Sequence, residues 1–257
     1  MLSSTFAIQA GVRQGGLLSP ALFAVYMDVL INKLKISGYG CKIHGDFFGC
    51  FAYADDIILI SHSVIAMQHM LNICDEFAIE LDVKFNVIKS VAMRIGLRFK
   101  VKCSPLRLAG NYLEFVESLK YLRVYITAHN YFKCSFDHVK HKFYKTFNSI
   151  YCKSKAAGSE LVSVELFRSY CLPLMLYACE ASFPNKRDIQ ALNNCVNLAV
   201  MKIFGLTSRD NIVITRNACS LANLGELIMK RRLKMMFNLL TIPLFTHLIK
   251  ITYSDFI

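Results

Sequence analysis

Residues Phe51-Ala52-Tyr53-Ala54-Asp55-Asp56-Ile57-Ile58-Leu59-Ile60 set two short apolar, β-prone runs on either side of an adjacent aspartate pair. Runs of this length around a polar dipeptide predict an antiparallel hairpin. A connection that only has to turn takes Asn-Gly or Asp-Gly, whose glycine tolerates positive φ. Two neighbouring carboxylates instead repel each other, and a cation between them relieves the repulsion. Hard divalent ions such as Mg²⁺ take carboxylate oxygens together with substrate phosphates. Aspartate is also common in turns for local hydrogen-bonding reasons, so the pair by itself leaves both readings open.

Upstream lies Gly11-Val12-Arg13-Gln14-Gly15-Gly16-Leu17-Leu18-Ser19-Pro20. Its glycines permit a turn with close backbone approach, and Gln14 can hydrogen-bond a base or sugar edge. Ser19 followed by Pro20 predicts an N-cap with proline at the first helical position. Leu22, Val25, Tyr26, Val29, Leu30 and Leu34 then recur at helical spacing and predict the buried side of that helix. Downstream of the hairpin, Ser63 predicts the cap of a helix with Met67, Met70, Leu71, Cys74, Phe77, Ala78 and Leu81 on its inner face. β-prone segments follow around 83–93, 106–115 and 121–126.

Beyond residue 127 the pattern changes to an almost unbroken helical period. Phe132, Phe136, Val139, Phe143, Phe147 and Ile150 predict one long helix ending near Gly158, with Lys133, Lys140, Lys142, Lys145, Lys153 and Lys155 on its outer surface. Further helices are expected over 164–178, 188–204 and 224–240, the last carrying Lys230, Arg231, Arg232 and Lys234. The charge is equally uneven. Residues 1–127 hold 13 Lys+Arg against 10 Asp+Glu, and residues 128–257 hold 17 against 8. No linker, repeat or low-complexity tract separates the halves, so the division into 1–127 and 128–257 rests on periodicity alone.

The chain has 257 residues, 54% apolar, with a net charge of +12. That composition excludes a disordered polypeptide and favours an anionic partner. Mean hydropathy is +0.38, but the purest apolar run, 171–179, is far shorter than the roughly 20 residues a span needs, so no membrane association is expected. No secretory signal opens the sequence. Ten cysteines without a CxxC pair suit an intracellular protein of nucleus or cytoplasm. Cys134, His138 and His141 form a weak cluster, with 134 and 138 predicted on one helical face. Three ligands without a fourth do not make a structural zinc site.

Together the motifs resemble the reverse transcriptases of non-LTR, LINE-like retrotransposons. Gly11, Gln14, Gly15, Leu18, Ser19 and Pro20 match G-x-x-Q-G-x-x-L-S-P, and Tyr53-Ala54-Asp55-Asp56 match [FY]-A-D-D. Asn86 with Lys89-Ser90 matches the family's following Asn and Lys-[ST]. Tyr121-Leu122-Arg123-Val124 stands where the family has a Tyr-Leu-Gly-Val primer grip. The resemblance implies an α+β fold, a partial polymerase palm of β-hairpins and packed helices followed by an all-α thumb-like region. It implies that Asp55 and Asp56 hold Mg²⁺ or Mn²⁺, and that Gly11, Gln14 and Gly15, with Tyr53 and Ala54, line the template and incoming nucleotide. Lys89 would lie by the triphosphate as proton donor to pyrophosphate. The partners it implies are an RNA template, a DNA primer and deoxynucleotide triphosphates, with Lys140, Lys145, Lys230, Arg231, Arg232 and Lys234 against backbone phosphates.

Two departures qualify that expectation. The family's third carboxylate lies on a strand before the Gly-Gln block, yet residues 1–10 contain no Asp or Glu. Asp28 and Asp46 fall at unsuitable positions. The expected reading is therefore a truncated polymerase fragment, inactive alone for want of that strand and the fingers, with an exposed apolar face beside the hairpin. The alternative is a non-catalytic, basic nucleic-acid-binding remnant of a retroelement. The second departure is Arg123 at a glycine position, which puts the primer-grip geometry in question.

Overall fold

The computed structural model describes residues 15–155, 158–243, 245 and 246. Helices and small sheets are mixed, as an α+β reading requires. Two compact units result, Met1–Ala92 with Lys100–Val116, and Met93–Phe99 with Glu117–Ile257. The change of periodicity at 127 therefore falls inside the second unit, because the hairpin at 118–127 packs with the helices that follow it.

In the first unit α1 (Ser19–Ile36) and α2 (Val64–Glu80) pack together. Ser63 caps α2, its hydroxyl accepting from the Ala66 amide at 3.1 Å. Met70, Leu71, Cys74 and Phe77 of α2 meet Met27, Leu30 and Leu34 of α1 in one core. Ser19 is not the cap of α1. Leu18 occupies that position, in helical conformation and with no side-chain hydrogen bond. The helix is apolar nearly all round, so its period does not fix which side faces inward. Met27 joins Leu30 and Leu34 inside, while Leu22, Val25 and Val29 are exposed.

The strands of this unit are short. β1 (Lys42–Ile43) pairs with β2 (Asp46–Phe47), and β3 (Cys50–Tyr53) with β4 (Asp56–Leu59). β5 (Val91–Ala92), β6 (Arg107–Leu108), β7 (Asn111–Tyr112) and β8 (Glu114–Phe115) complete it, β6 against β7 and β5 parallel to β8. Polar residues of α2 clamp the β6–β7 hairpin. Gln68 exchanges two hydrogen bonds with the Arg107 backbone, and Asp75 accepts from the Ala109 amide.

The second unit holds a three-stranded antiparallel sheet, ordered β11 (Lys133–Ser135), β10 (Val124–Thr127), β9 (Ser118–Tyr121). The strand β11 occupies what the period predicts as helix, and α3 begins only at Asp137, running to Ser154. The four-residue step from Phe132 to Phe136 mimics a helix across a strand and turn. Cys134 and His138 consequently share no helical face, and among the described residues no group of three metal-ligating side chains forms.

Next come α4 (Glu160–Leu166), a π-helical turn (Phe167–Cys171) and α5 (Leu172–Leu176). The Leu172 amide reaches back five residues to the Phe167 carbonyl. This widening sits directly before Pro173, which would otherwise crowd a carbonyl one turn earlier. α6 (Cys179–Ser182), α7 (Lys186–Phe204), α8 (Arg209–Ala218) and α9 (Leu224–Leu240) follow. Phe143 and Phe147 of α3, Phe167, Cys171 and Met175, Leu192, Val196 and Val200 of α7, and Leu224 and Ile228 of α9 form the second core. The segment Glu160–Ser182 is long and apolar enough to cross a membrane by composition, but Val164, Phe167, Cys171, Met175 and Cys179 within it belong to this core.

Candidate functional site

The aspartate hairpin is built by register. Cys50 opposes Leu59, Ala52 opposes Ile57, and Tyr53 opposes Asp56, which leaves Ala54-Asp55 as a two-residue loop. Ala54 takes a positive φ of 52°, an unusual state for alanine that tightens the turn. Alternation along the strands sends Cys50, Ile57 and Leu59 to the core. Asp56 points to the other face with Tyr53, Phe51 and Ile58.

Both aspartates are exposed, and among the described residues neither carboxylate takes part in a hydrogen bond or ion pair. Two unpaired carboxylates on consecutive residues of a rigid turn fit a divalent ion whose other ligands are water and phosphate oxygens. Among the described residues no third acid, histidine or cysteine joins them.

A pair of glycines holds the base of this hairpin. A Cβ on Gly49 would lie 2.5 Å from the Phe47 ring and 2.9 Å from the Gly40 Cα. The two backbones cross at contact distance, and Phe47 closes over them. From there Cys41 donates to Ile60, Ile60 to Gly49, and Phe48 to Cys41, at 2.7–3.0 Å. Sequence reading singled out neither glycine, because their close approach is visible only once the segments at 40 and 49 are brought together.

Of the upstream block, Gly11 and Gln14 lie outside the described residues. Gly15 is exposed with φ +80°, a conformation that glycine adopts freely. The Asn86-x-x-Lys89-Ser90 motif is a turn closed on itself. The Asn86 side chain accepts from the Lys89 amide at 3.2 Å, and its carbonyl accepts from the Ser90 hydroxyl at 2.9 Å and amide at 3.0 Å. The Lys89 side chain is exposed on that turn. Hairpin and turn share the first unit's core through Ile57, Leu59 and Val87.

Tyr121 opposes Val124, so Leu122-Arg123 is a two-residue loop with φ of 44° and 65°. Positive φ at both positions is the type I′ sign pattern. The same pattern occurs at His44-Gly45 and Ala109-Gly110, each with glycine second. Only here does a side chain stand at the second position. The Tyr177 hydroxyl donates to the Leu122 carbonyl at 2.9 Å, tying the turn to the segment after α5. This hairpin belongs to the second unit, whereas the aspartates and Lys89 belong to the first.

The basic residues divide into two groups. Arg231 donates to the Leu176 carbonyl at 2.9 Å and lies 3.8 Å from Glu180, and the Arg232 guanidinium sits 4.7 Å over the Phe183 ring. Both serve to hold α9 against the segment around α6. Lys140 is paired with Asp137 at 2.8 Å, and their mutual hydrogen bond holds the Asp137 carboxyl below its usual range and the Lys140 amine above its own. Lys145, Lys230 and Lys234 are exposed.

Among the thiols, burial pushes Cys50 and Cys171 up to about 11 and Cys74 and Cys179 to about 12, so all four stay protonated and inert at neutral pH.

Residues 2–126 match the family model described as reverse transcriptase (RNA-dependent DNA polymerase). That segment, just under half of the chain and including the carboxylate hairpin, matches the reverse transcriptase family. More particularly, its relatives are proteins of non-LTR retrotransposons. It is 30% identical over 141 residues to the Retrovirus-related Pol polyprotein from type-2 retrotransposable element R2DM of Drosophila melanogaster, covering 52% of this chain and 13% of that protein. It is 26% identical over 147 residues to the RNA-directed DNA polymerase from mobile element jockey of Drosophila funebris, covering 55% and 16% respectively. The aligned region thus spans under a fifth of either relative.

Proposed function

We propose that the chain is part of an RNA-directed DNA polymerase of a non-LTR retrotransposon, with residues 1–127 contributing palm and 128–257 a helical thumb or connection. What carries the reading is the exposed, unpaired carboxylate pair on a two-residue hairpin within the family segment. The reaction is attack of a primer 3′-hydroxyl on the α-phosphate of a deoxynucleotide, with pyrophosphate leaving. Asp55 and Asp56 would hold the divalent ions, whose chemistry when bound would be to stabilise charge on the entering and leaving oxygens. By the resemblance, Gln14, Gly15, Tyr53 and Ala54 are assigned to the templating base pair and incoming nucleotide. Lys89, presented by the Asn86 turn, donates a proton to the departing pyrophosphate. The Leu122-Arg123 turn, between Tyr121 and Val124, bears on the primer terminus.

In this reading the 257 residues alone bind metal and nucleotide without turning over, because among the described residues no third acid joins Asp55 and Asp56. The ten free thiols suit a reducing nuclear or cytoplasmic setting. The test is primer extension on an RNA template with Mg²⁺ or Mn²⁺. The purified chain is expected to give no product. Template-dependent synthesis abolished by Asp55→Asn would overturn the proposed inactivity while upholding the polymerase assignment.

A further inference from the structure

Helix α1 carries two apolar faces. Phe23, Met27, Leu30 and Leu34 lie in the first unit's core, where α2 packs on them. Leu18, Leu22, Val25, Val29, Asn32 and Ile36 recur at steps of four, three, four, three and four residues. Steps averaging 3.5 residues keep side chains in one stripe along a helix and are the spacing of a coiled-coil seam. The five apolar members are 45–85% exposed, and Asn32 is exposed with them. In heptad terms Leu22, Val29 and Ile36 take position a, and Leu18, Val25 and Asn32 take position d. The core-facing residues take b and f. The two faces therefore lie on opposite sides of the helix, and α2 does not obstruct the outer one.

A contiguous apolar stripe of this length marks an interaction surface. We propose that it pairs with the same stripe of a second copy of this chain, as a parallel, in-register, two-stranded helix pair. Three observations choose that occupant. β-Branched Val29 and Ile36 at position a favour two strands. In register, Asn32 meets Asn32 of the second copy. Its Nδ2 donates one hydrogen to Asp28 at 3.1 Å, which leaves the other hydrogen and the carbonyl oxygen for that contact. Antiparallel pairing of the same stripe would set Asn32 against Leu22 and bring the two Asp28 carboxylates together, leaving an amide unmatched and like charges adjacent.

Charge completes the match. In the parallel pair Asp28, at position g, faces Lys33 of the second copy, at position e five residues on, and the contact occurs twice. Asp28 has no cationic partner of its own among the described residues. Lys33 is steadied at the rim of the stripe by Glu80 of α2.

The affinity follows from the length. α1 is already folded against α2, so pairing carries no cost of helix nucleation. Fewer than three heptads bury less than a standard interface, which sets the expected Kd at about 1–50 µM. The pairing is independent of the polymerase reading, since neither Asp55 nor Asp56 nor a nucleic acid takes part.

Sedimentation equilibrium of the full chain, from about 1 to 100 µM, tests the pair. The average mass should climb from that of one chain, 29.2 kDa, towards twice that value and stop there. Val25→Glu puts a carboxylate in the seam and should weaken pairing at least about thirtyfold. Its circular dichroism should match wild type, because Val25 is exposed in the single chain. Ile79→Glu changes an exposed apolar residue of α2 outside the seam and should leave the mass curve unmoved. Asp28→Lys and Lys33→Glu should each weaken self-pairing about three- to tenfold. An equimolar mixture of those two variants should recover the wild-type affinity, since each cation of one then faces an anion of the other. A chain monomeric throughout, association that passes two chains, a Val25→Glu curve superimposing on wild type, or a mixture no tighter than its components would each overturn the parallel pair. So would loss of association in Ile79→Glu. A monomer that co-floats with phosphatidylserine vesicles would give the face to a lipid surface and overturn it as well.

Discussion

Gly49→Ala probes how the aspartate hairpin is held. The added methyl would meet two Phe47 ring atoms, at 2.5 and 2.7 Å, and the Gly40 Cα at 2.9 Å. The ring can swing aside, but the Gly40 backbone cannot move without disturbing the hydrogen bonds among Cys41, Phe48, Gly49 and Ile60. Overpacking of this kind costs about 2–3 kcal/mol when backbone must shift. Gly45→Ala gives the contrast. Gly45 has φ +90° and open space around it, so its cost is confined to backbone strain, about 1 kcal/mol. Amide hydrogen exchange at Ile60, whose N–H bonds the Gly49 carbonyl at 2.7 Å, reads local opening directly. At about 1.4 kcal/mol per decade, Gly49→Ala should speed exchange at Ile60 about 30- to 150-fold, and Gly45→Ala by no more than about fivefold. Equal rates in the two variants would refute the crossing of Gly40 and Gly49 as the hairpin's anchor.

Arg216 is buried and donates to Leu221 and Ala222 carbonyls and to Asn193 and Asn197 side chains at 2.8–3.3 Å. Arg216→Leu leaves those acceptors unmatched and should cost about 3 kcal/mol; urea unfolding of the helical unit followed by circular dichroism, with a loss under about 1 kcal/mol, would contradict it. Arg123→Gly places glycine at φ 65° and should stabilise the β9–β10 hairpin by about 1 kcal/mol, seen as slower exchange at Val124, while weakening nucleic-acid binding; faster exchange there would argue against the strained turn. His138 is held neutral by burial, so its folded value lies below the unfolded one near 6.5. Its contribution to stability is complete above about pH 6.5 and is lost as pH falls through the folded value. Thermal unfolding between pH 7.5 and 5 should show that decline, and His138→Gln should lessen it.

Much of the site was legible in the sequence because its devices are local. The two β-prone runs fix the hairpin around Asp55-Asp56, Ser63 and a clean three-to-four period fix α2, and Asn86 with Ser90 is a self-closing turn. Helix α1 was legible in extent but not in orientation, since Leu22 and Val25 are as apolar as Met27 and Leu30. α8 went unseen because its stripe is broken: Ile212 is buried, Val213 and Ile214 are exposed, and its other inward residue is Arg216. The Gly40–Gly49 crossing and the Gln68 and Asp75 clamps join residues on different elements. No periodicity reports such pairings. The long helix predicted from Phe132 failed for a related reason, since a strand and turn can place aromatics four residues apart as readily as a helix does.

The central claim is that Asp55 and Asp56 are a metal-binding pair serving a nucleotide. Mn²⁺ electron paramagnetic resonance on the purified chain, with and without a deoxynucleotide triphosphate, tests it most directly. Wild type should bind Mn²⁺ more tightly when the triphosphate is present, and Asp55→Asn and Asp56→Asn should each remove that gain while leaving the circular dichroism spectrum unchanged. Equal Mn²⁺ binding by wild type and both variants would contradict the account.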